Sequence, residues 1–100
     1  MPAYQLSKLA RTDLIDIADY TVDTWGEEQA YRYLDGLEAC FDRLAQTPKI
    51  GRPCNRIRLG YRRIEHGRHV VFYRADRDSI FIGRILHQGM LPSGHLIEDE

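Results

Sequence analysis

Cysteine is scarce in this sequence: Cys40 and Cys54 are the two thiols among 100 residues. Two thiols are too few for the disulfide framework that stabilises small secreted domains. Neither belongs to a Cys/His cluster with the spacing of metal ligands, so no metal site is predicted, and no cofactor either. We therefore expect two reduced thiols, Cys40 in a helix and Cys54 in a loop.

Long apolar runs are also missing. No stretch approaches the roughly 20 apolar residues that a membrane-spanning helix needs. Residues 1–5 lack the basic and apolar regions of a secretory signal peptide. The length is that of one domain. The sequence therefore predicts a cytoplasmic protein with a single domain over residues 1–100 and no membrane association.

Charge is nearly balanced overall, at −1, but it is divided along the chain. Residues 1–47 hold four basic and nine acidic side chains, whereas residues 48–88 hold ten basic and three acidic ones. Nine of those ten are arginines, whose planar guanidinium suits paired contacts with carboxylate or phosphate. A local positive field attracts acidic partners whatever the net charge. The pattern fits a partner-binding surface, or a solvated basic sheet balanced by acidic helices.

Helical spacing is clear in the first half of the chain. Residues 4–6 predict a short strand, after which Ser7 is placed to cap an amphipathic helix over 8–24. Gly26 predicts the end of this helix, because glycine readily adopts the left-handed conformation. A second helix begins at once and ends near Thr47, so the two should form an antiparallel hairpin.

The spacing of apolar residues changes to two after a loop at 47–55 that contains proline and glycine. This change predicts strands at 58–65, 69–75 and 79–87, joined by connections short enough for hairpins. The predicted fold class is α+β, with the order β-α-α-β-β-β, an antiparallel meander and the helical hairpin packed on one sheet face. Residues 88–100 are expected to form a C-terminal tail.

The last two predicted strands are apolar on both faces. In the first of them, Val71 and Tyr73 alternate with Val70 and Phe72, and the next strand repeats the pattern. The helical hairpin covers one face, and an antiparallel sheet with a bare second face should carry polar residues there. The sequence therefore predicts that the C-terminal tail, a partner segment, or both cover the second face.

Gly83 interrupts the last strand, which predicts a bulge or a close backbone approach by the tail. Simple alternation then places Arg84 on the same face as Ile82 and Leu86. A buried guanidinium needs a carboxylate or a partner, because an unpaired buried charge is costly. We expect either internal pairing, for example with Glu65, or contact with another protein.

Several short segments match a known family in order and spacing. They are LSKLARTDL at 6–14, WG at 25–26, LAQTPKIGR at 44–52, HVVFYR at 69–74, RILHQGMLP at 84–92 and HL at 95–96. Over about residues 3–96 the chain thus resembles the ParE branch of the RelE/ParE toxin superfamily. The resemblance implies the same β-α-α-β-β-β fold.

The resemblance also implies a bacterial toxin of a type II toxin-antitoxin system, cytoplasmic and of the kind that stabilises plasmids. Known ParE-like members act on DNA gyrase by protein contact without a recognised active site, so no catalytic residue and no direct nucleic-acid binding are expected. A ParD-like antitoxin would form a hetero-oligomer with the toxin. Its segment would wrap the apolar surface, with the acidic helices and basic sheet orienting it.

Two groups of residues are candidates for these contacts. The candidates for contact with the target are Arg62, Arg63, Arg74, Arg84 and His87. The candidates for contact with the antitoxin are Trp25, Tyr31, Tyr33, Phe72 and Ile82. Structural interpretations stand beside them: Trp25 at the helix junction, Tyr31 and Tyr33 beside the core stripe, and His87 packed at a strand end. The histidines of the predicted hairpin turn, His66 and His69, are expected to be solvated.

Cleavage of messenger RNA in the ribosome, the activity of RelE-like members, is the alternative function. Arginines of the sheet would then stabilise phosphate charge, and Glu65 or His87 would move protons. The chain departs from that pattern, because many RelE-like enzymes have a catalytic tyrosine in the tail and no tyrosine follows Tyr73. A non-toxic antitoxin-binding domain is a third alternative, since fold does not fix function.

Overall fold

The computed structural model describes residues 3–89. Its elements are β1 (Ala3–Leu6), α1 (Lys8–Trp25), α2 (Glu27–Gln46), a 3-10 turn (Pro48–Ile50), β2 (Arg52–Pro53), β3 (Tyr61–His66), β4 (His69–Ala75) and β5 (Ser79–His87). The predicted α+β fold, with two helices before an antiparallel meander, is confirmed. Neither described helix is long and apolar enough to cross a bilayer. The predicted tail lies outside the described residues beyond residue 89.

The sheet has five strands in the order β1-β5-β4-β3-β2. β1 pairs with β5 in parallel and aligns Leu6 with Ile82, whereas the remaining neighbours are antiparallel. Ser7 then links strand to helix: its hydroxyl donates to the Gly83 carbonyl at 2.7 Å and accepts from the Ala10 amide at 3.0 Å. The predicted N-cap of α1 is confirmed, and it is fastened to the sheet as well.

Both helices pack on one face of the sheet. We call the buried residues between them the helix-side cluster: Ala10, Ile17, Leu37, Cys40, Phe41, Leu44, Ala45, Val71, Tyr73, Ile80, Ile82 and Ile85. The apolar stripes of α1 and α2 supply the first seven, as their helical spacing predicted. The apolar stripes of both helices are therefore buried against this side of the sheet.

The second sheet face is covered by the segment between β2 and β3. Cys54, Ile57 and Tyr61 pack there against three residues of β4 and β5, and we call the group the loop-side cluster: Cys54, Ile57, Tyr61, Val70, Phe72 and Leu86. Phe72 is 1% exposed. The chain's own loop therefore encloses these residues, and most of the tail that was predicted to cover this face lies outside the described residues.

β3 begins at Tyr61, whereas the sequence predicted a start at residue 58. The difference arises because the residues before Tyr61 form turns. Within those turns, the Gly60 amide donates to the Asn55 side-chain oxygen at 2.8 Å, and Gly60 has a φ of 85°. The predicted loop at 47–55 also contains the 3-10 turn and β2. These turns allow the loop to fold over the sheet.

A bulge at Gly83 divides β5. Ile82 and Arg84 pair with adjacent residues of β4, so Gly83 between them is an extra residue, and the predicted bulge is confirmed. The alternation of side chains shifts at that point. Ile82 therefore packs in the helix-side cluster and Leu86 in the loop-side cluster. The prediction that Arg84 shares one face with both is wrong for this reason.

Candidate functional site

A groove of about 320 Å³ opens where α1, α2 and the β3–β4 turn meet. We call it the aromatic groove, and its lining residues are Tyr20, Thr21, Trp25, Gln29, Tyr33, Gly67, Arg68, His69 and His87. A second depression shares Tyr20, His69 and His87 with it and continues along α1 to Asp13. Together they form a continuous channel between α1 and the end of the sheet.

Tyr33 organises the floor of the aromatic groove. Its hydroxyl donates to the His66 carbonyl at 3.0 Å, accepts from the Arg68 amide at 3.2 Å, and lies 2.6 Å from His69 Nδ1. Gly67 makes this approach possible, because its φ is 57° and a Cβ there would lie 2.7 Å from the Tyr33 ring. Burial is the main cause that raises the pKa of Tyr33. The tyrosine is thus a neutral anchor for the turn.

His69 connects the floor to β5. Its ring contacts that of His87 edge to face, with centroids 5.8 Å apart. Burial lowers the pKa of His69 below its ordinary value, and the neighbouring His87 and His66 lower it further, while Asp13 acts in the opposite direction. The expectation that His69 is solvated is wrong, because Tyr33 and His87 enclose it. At neutral pH it is an uncharged imidazole.

Trp25 and Tyr20 form the exposed wall of the groove. Their exposed fractions are 58% and 61%, large values for aromatic side chains. The Arg68 guanidinium lies over the Trp25 ring at 6.0 Å from its centroid. The Gln88 amide donates to the Arg68 carbonyl at 2.8 Å and so holds its backbone against the end of β5. The groove therefore combines open aromatic surface with a positioned cation.

Asp13 closes the other end of the channel by pairing with Arg84. Its two carboxylate oxygens accept from Arg84 Nε at 2.7 Å and Nη2 at 2.9 Å, and one also accepts from the Ile85 amide at 3.0 Å. Both charged side chains are 12% exposed. β1 ends beside Ile82, so the following edge of β5 is open to α1, which brings Asp13 to it.

Comparison with known proteins identifies the family of this fold and channel. The family model described as ParE toxin of type II toxin-antitoxin system, parDE, matches residues 4–92. The chain belongs to the ParE toxin family. It is therefore similar along nearly its whole length to toxins of type II toxin-antitoxin systems.

Two relatives of this ParE-family chain support the assignment at the level of sequence. Toxin ParE1 of Mycobacterium tuberculosis (strain CDC 1551 / Oshkosh) is 46% identical over 88 residues, which cover 87% of this chain and 90% of the relative. Toxin ParE1 of Caulobacter vibrioides is 44% identical over 96 residues, which cover 96% and 99%.

Solved structures support the same fold. A chain of the chromosomal ParDE TA system from P. aeruginosa has a TM-score of 0.71 at 24% identity, covering 87% of this chain and 96% of that one. A chain of the toxin-antitoxin complex RelBE2 from Mycobacterium tuberculosis has a TM-score of 0.62 at 22% identity, covering 87% and 99%. At these identities the likeness concerns the fold alone.

In this ParE-family fold, the proposed target-contact residues do not form one cluster. Arg62 donates to the Gly51 carbonyl at 2.7 Å, and Arg63 lies 5.8 Å from the Phe72 ring centroid. Arg74 lies over the Phe81 ring at 4.6 Å. These three belong to β3 and β4.

The two remaining target-contact candidates, Arg84 and His87, lie on β5. The internal pairing expected for Arg84 is confirmed, but the carboxylate is that of Asp13 and not that of Glu65. Glu65 instead pairs with Arg52 at 3.0 Å and with Arg63 at 3.4 Å.

The proposed antitoxin-contact residues separate into three places. Trp25 and Tyr33 line the aromatic groove. Tyr31 is 65% exposed on α2 but does not line the groove. Phe72 and Ile82 are 1% and 0% exposed. Phe72 packs in the loop-side cluster and Ile82 in the helix-side cluster, and their contact with an antitoxin stays a prediction.

Sequence reasoning missed Asp13, Tyr20 and Arg68 as parts of the channel. One signal for Asp13 was available, since it follows Ala10 by three positions and precedes Ile17 by four, which places it beside the buried stripe of α1. Arg68 gave no such signal, because its partner Trp25 is remote in sequence. Within residues 3–89, no group of three or more histidine, cysteine or acidic side chains is arranged to hold a metal ion.

Proposed function

We propose that this ParE-family toxin inhibits DNA gyrase by protein contact in the bacterial cytoplasm, and that a ParD-like antitoxin neutralises it. The observation that carries the proposal is the family match over residues 4–92. By the same reasoning the toxin and antitoxin would together stabilise the plasmid or chromosomal region that encodes them. The relatives named above are toxins, and one structural neighbour comes from a ParDE system.

The placement of the acid and base candidates favours inhibition by contact over cleavage of RNA. Glu65 pairs in register with Val70, a residue of the loop-side cluster. His87 pairs with His69, whose ring contacts Tyr33 on the helix side. The two side chains therefore point to opposite faces of the sheet, whereas general acid and base must reach the same phosphate group.

The pairing of Arg84 with Asp13 also favours inhibition by protein contact over cleavage of RNA. Stabilisation of a phosphate in flight needs donors that are aimed at the developing charge. Asp13 already occupies Nε and Nη2 of this guanidinium, and both side chains are largely buried. Use of Arg84 on RNA would require breaking that pair, which leaves a buried carboxylate uncompensated.

Arginines on β2 to β4 are better placed to contact an acidic protein surface. The side chains of Arg52, Arg63 and Arg74 are 68%, 32% and 28% exposed. They lie in the basic half of the chain, away from the acidic helices. We propose that gyrase is contacted from this side, where the positive field would speed encounter with an acidic surface.

A paired assay tests the proposal. Purified toxin freed of antitoxin is added to gyrase with relaxed plasmid, and in parallel to a reconstituted translation mixture with a defined transcript. We expect loss of supercoiling, accumulation of cleaved plasmid DNA, and an intact transcript. Site-specific cleavage of the transcript with gyrase unaffected would reverse the assignment. No effect in either mixture, from a toxin that still binds its antitoxin, would indicate a non-toxic antitoxin-binding domain.

The neighbouring reading frame provides a test of the antitoxin. We expect a short upstream gene that encodes a ribbon-helix-helix domain followed by a polar tail. Co-expression of its product should give a stable complex and restore growth to cells that produce the toxin. Continued growth arrest in the presence of that product would contradict the assigned partner.

A further inference from the structure

The aromatic groove has the composition of a site that binds a protein side chain. Trp25 and Tyr20 leave more than half of their surface exposed, and exposed apolar patches of this kind mark interaction sites. Aromatic and arginine side chains are also the residues that dominate binding energy at protein interfaces. The cavity of about 320 Å³ has the size of the smaller ligand pockets. It therefore suits one or two side chains of a bound segment.

Charge indicates what kind of side chain binds. Among residues 3–89, the lining of the groove includes Arg68, His69 and His87 but no carboxylate. The adjoining depression contains two carboxylates, those of Asp13, which Arg84 engages, and of Asp16. A bound anion near Arg68 would thus meet no repelling negative charge from the described residues that line the groove. Complementarity favours an occupant that is apolar on one side and anionic on the other.

The position of Arg68 sets where the anion would lie. Its guanidinium rests over the Trp25 ring, and its backbone is held by Tyr33 and Gln88. The Arg68 guanidinium lies 6.0 Å from the Trp25 ring centroid, and its planar set of N–H donors suits a carboxylate bound in paired hydrogen bonds. An apolar group lying against Trp25 would therefore place a neighbouring carboxylate within reach of Arg68.

We propose that the aromatic groove binds a large apolar side chain and an adjacent carboxylate of the antitoxin's toxin-binding segment. This inference rests on the proposed antitoxin as partner. The apolar side chain lies between Tyr20 and Trp25, and the carboxylate lies on Arg68 beside His87. Tyr33 and His69 form the floor and keep the turn that carries Arg68 in place.

A proton should accompany this binding. His69 faces Tyr33 of α2, His66 of β3, His87 of β5 and Asp13 of α1, and in the free toxin its imidazole is kept neutral. A carboxylate added near His69 favours the protonated form of that imidazole. Binding therefore takes up protons, and affinity should increase as pH falls from 7.5 to 6.0.

Two blocked dipeptides test the groove directly: N-acetyl-Phe-Glu-amide and N-acetyl-Phe-Gln-amide, titrated into ¹⁵N-labelled full-length toxin. We expect the glutamate peptide to shift the Trp25 indole N–H and the amides of Arg68 and His87, and to bind roughly three- to tenfold more tightly than the glutamine peptide. Its affinity should also rise at pH 6.0. Equal binding of the two peptides, or shifts confined to other surfaces, would overturn the proposal.

Variants then connect the groove to the antitoxin. Binding of the polypeptide encoded by the adjoining reading frame is measured by calorimetry with Trp25→Ala, Arg68→Ala and the control Ile15→Ala. Ile15 is a fitting control, since it is 61% exposed on α1 but does not line the groove. We expect each groove variant to lose about tenfold or more in affinity, and the control less than about threefold.

The outcomes separate the groove from the proposed function. If the unmodified toxin binds the polypeptide tightly and all variants bind it with equal affinity, the groove is not the antitoxin-binding site. The antitoxin then remains the proposed partner. If the unmodified toxin does not bind the polypeptide, the antitoxin is not the occupant of the groove. The dipeptide titration still tests whether the groove binds an apolar side chain and a carboxylate. Equal losses at Ile15, Trp25 and Arg68 would indicate a broad helical interface and would overturn the proposal that the groove is the specific site.

Discussion

The loop-side face of the sheet and the aromatic groove differ in how much of their apolar side chains is exposed. On the loop side, Phe72 is 1% exposed beneath residues of the chain's own loop. In the groove, Trp25 is 58% exposed, and the Arg68 guanidinium lies 6.0 Å from its ring centroid. A strand that is apolar on both faces is thus enclosed within the fold, whereas an aromatic residue at the end of an amphipathic helix stays open. Exposure to a partner follows from what packs nearby, and hydrophobicity alone does not reveal it.

The largest expected effect contrasts these two aromatic residues. Phe72→Ala should lower the free energy of unfolding by about 3–5 kcal/mol, because it leaves a cavity in the loop-side cluster. Trp25→Ala, as the control, should cost less than about 1 kcal/mol, since its side chain is mostly solvated. Urea denaturation measures both. Similar losses would show that the loop-side face is less closely packed than its burial indicates.

The next effect contrasts two ion pairs, the buried one between Asp13 and Arg84 and the exposed one between Glu65 and Arg52. Asp13→Ala should destabilise the toxin by about 3 kcal/mol, because it leaves the buried Arg84 guanidinium and the Ile85 amide without their acceptor. Glu65→Ala should cost less than about 1 kcal/mol, since its carboxylate and Arg52 are both more than half exposed. Thermal unfolding of the two variants checks this. An equal loss for the two would contradict a buried, structural role for Asp13.

A smaller effect tests how closely the groove floor is packed. Gly67→Ala should cost about 2 kcal/mol, because alanine is strained at a φ of 57° and its Cβ would collide with the Tyr33 ring. Gly60→Ala is a matched control with a φ of 85° and no atom within 4 Å of the new Cβ. Its loss should reflect backbone strain alone, about 1 kcal/mol. Denaturation curves that coincide for the two variants would exclude the Tyr33 contact as a constraint.

The smallest effect is a pH dependence of stability that comes from His69. Its pKa in the folded toxin lies below the ordinary value of 6.5, so the unfolded chain binds the proton more readily. Stability should therefore fall as pH falls from 6.5 through the folded-state pKa, and the change should be smaller in His69→Gln. Unfolding at pH 7.5 and 5.5 measures this difference. A greater stability at pH 5.5 that depends on His69 would contradict the sign.

Local features of the fold were largely predictable. Spacing located α1 and α2, the residue type of Ser7 indicated the cap, and Gly83 indicated the bulge. The pairing of Arg84 was predictable only in kind, as a need for a carboxylate. Its identity was not, because Asp13 is 71 positions away and reaches β5 only after α1 has packed on the sheet.

The groove was predictable only in part. Trp25 and Tyr33 were candidates from their residue types, but Arg68 comes from a turn between strands and meets Trp25 only in the folded chain. The packing of the chain's own loop over the second sheet face was not predicted, for a similar reason. A loop of turns gives no hydrophobic period, so its packing over Phe72 leaves no pattern in the sequence.

The sequence by itself determined the order of the elements, the helical stripes and the membership of the ParE family, since these depend on local spacing and on short segments in a fixed order. Tertiary structure alone decided which apolar face is enclosed, which carboxylate neutralises Arg84 and where the aromatic groove opens. The physical reason is that each of these contacts joins residues far apart in the chain. Such contacts exist only after the sheet register and the helix positions have been set.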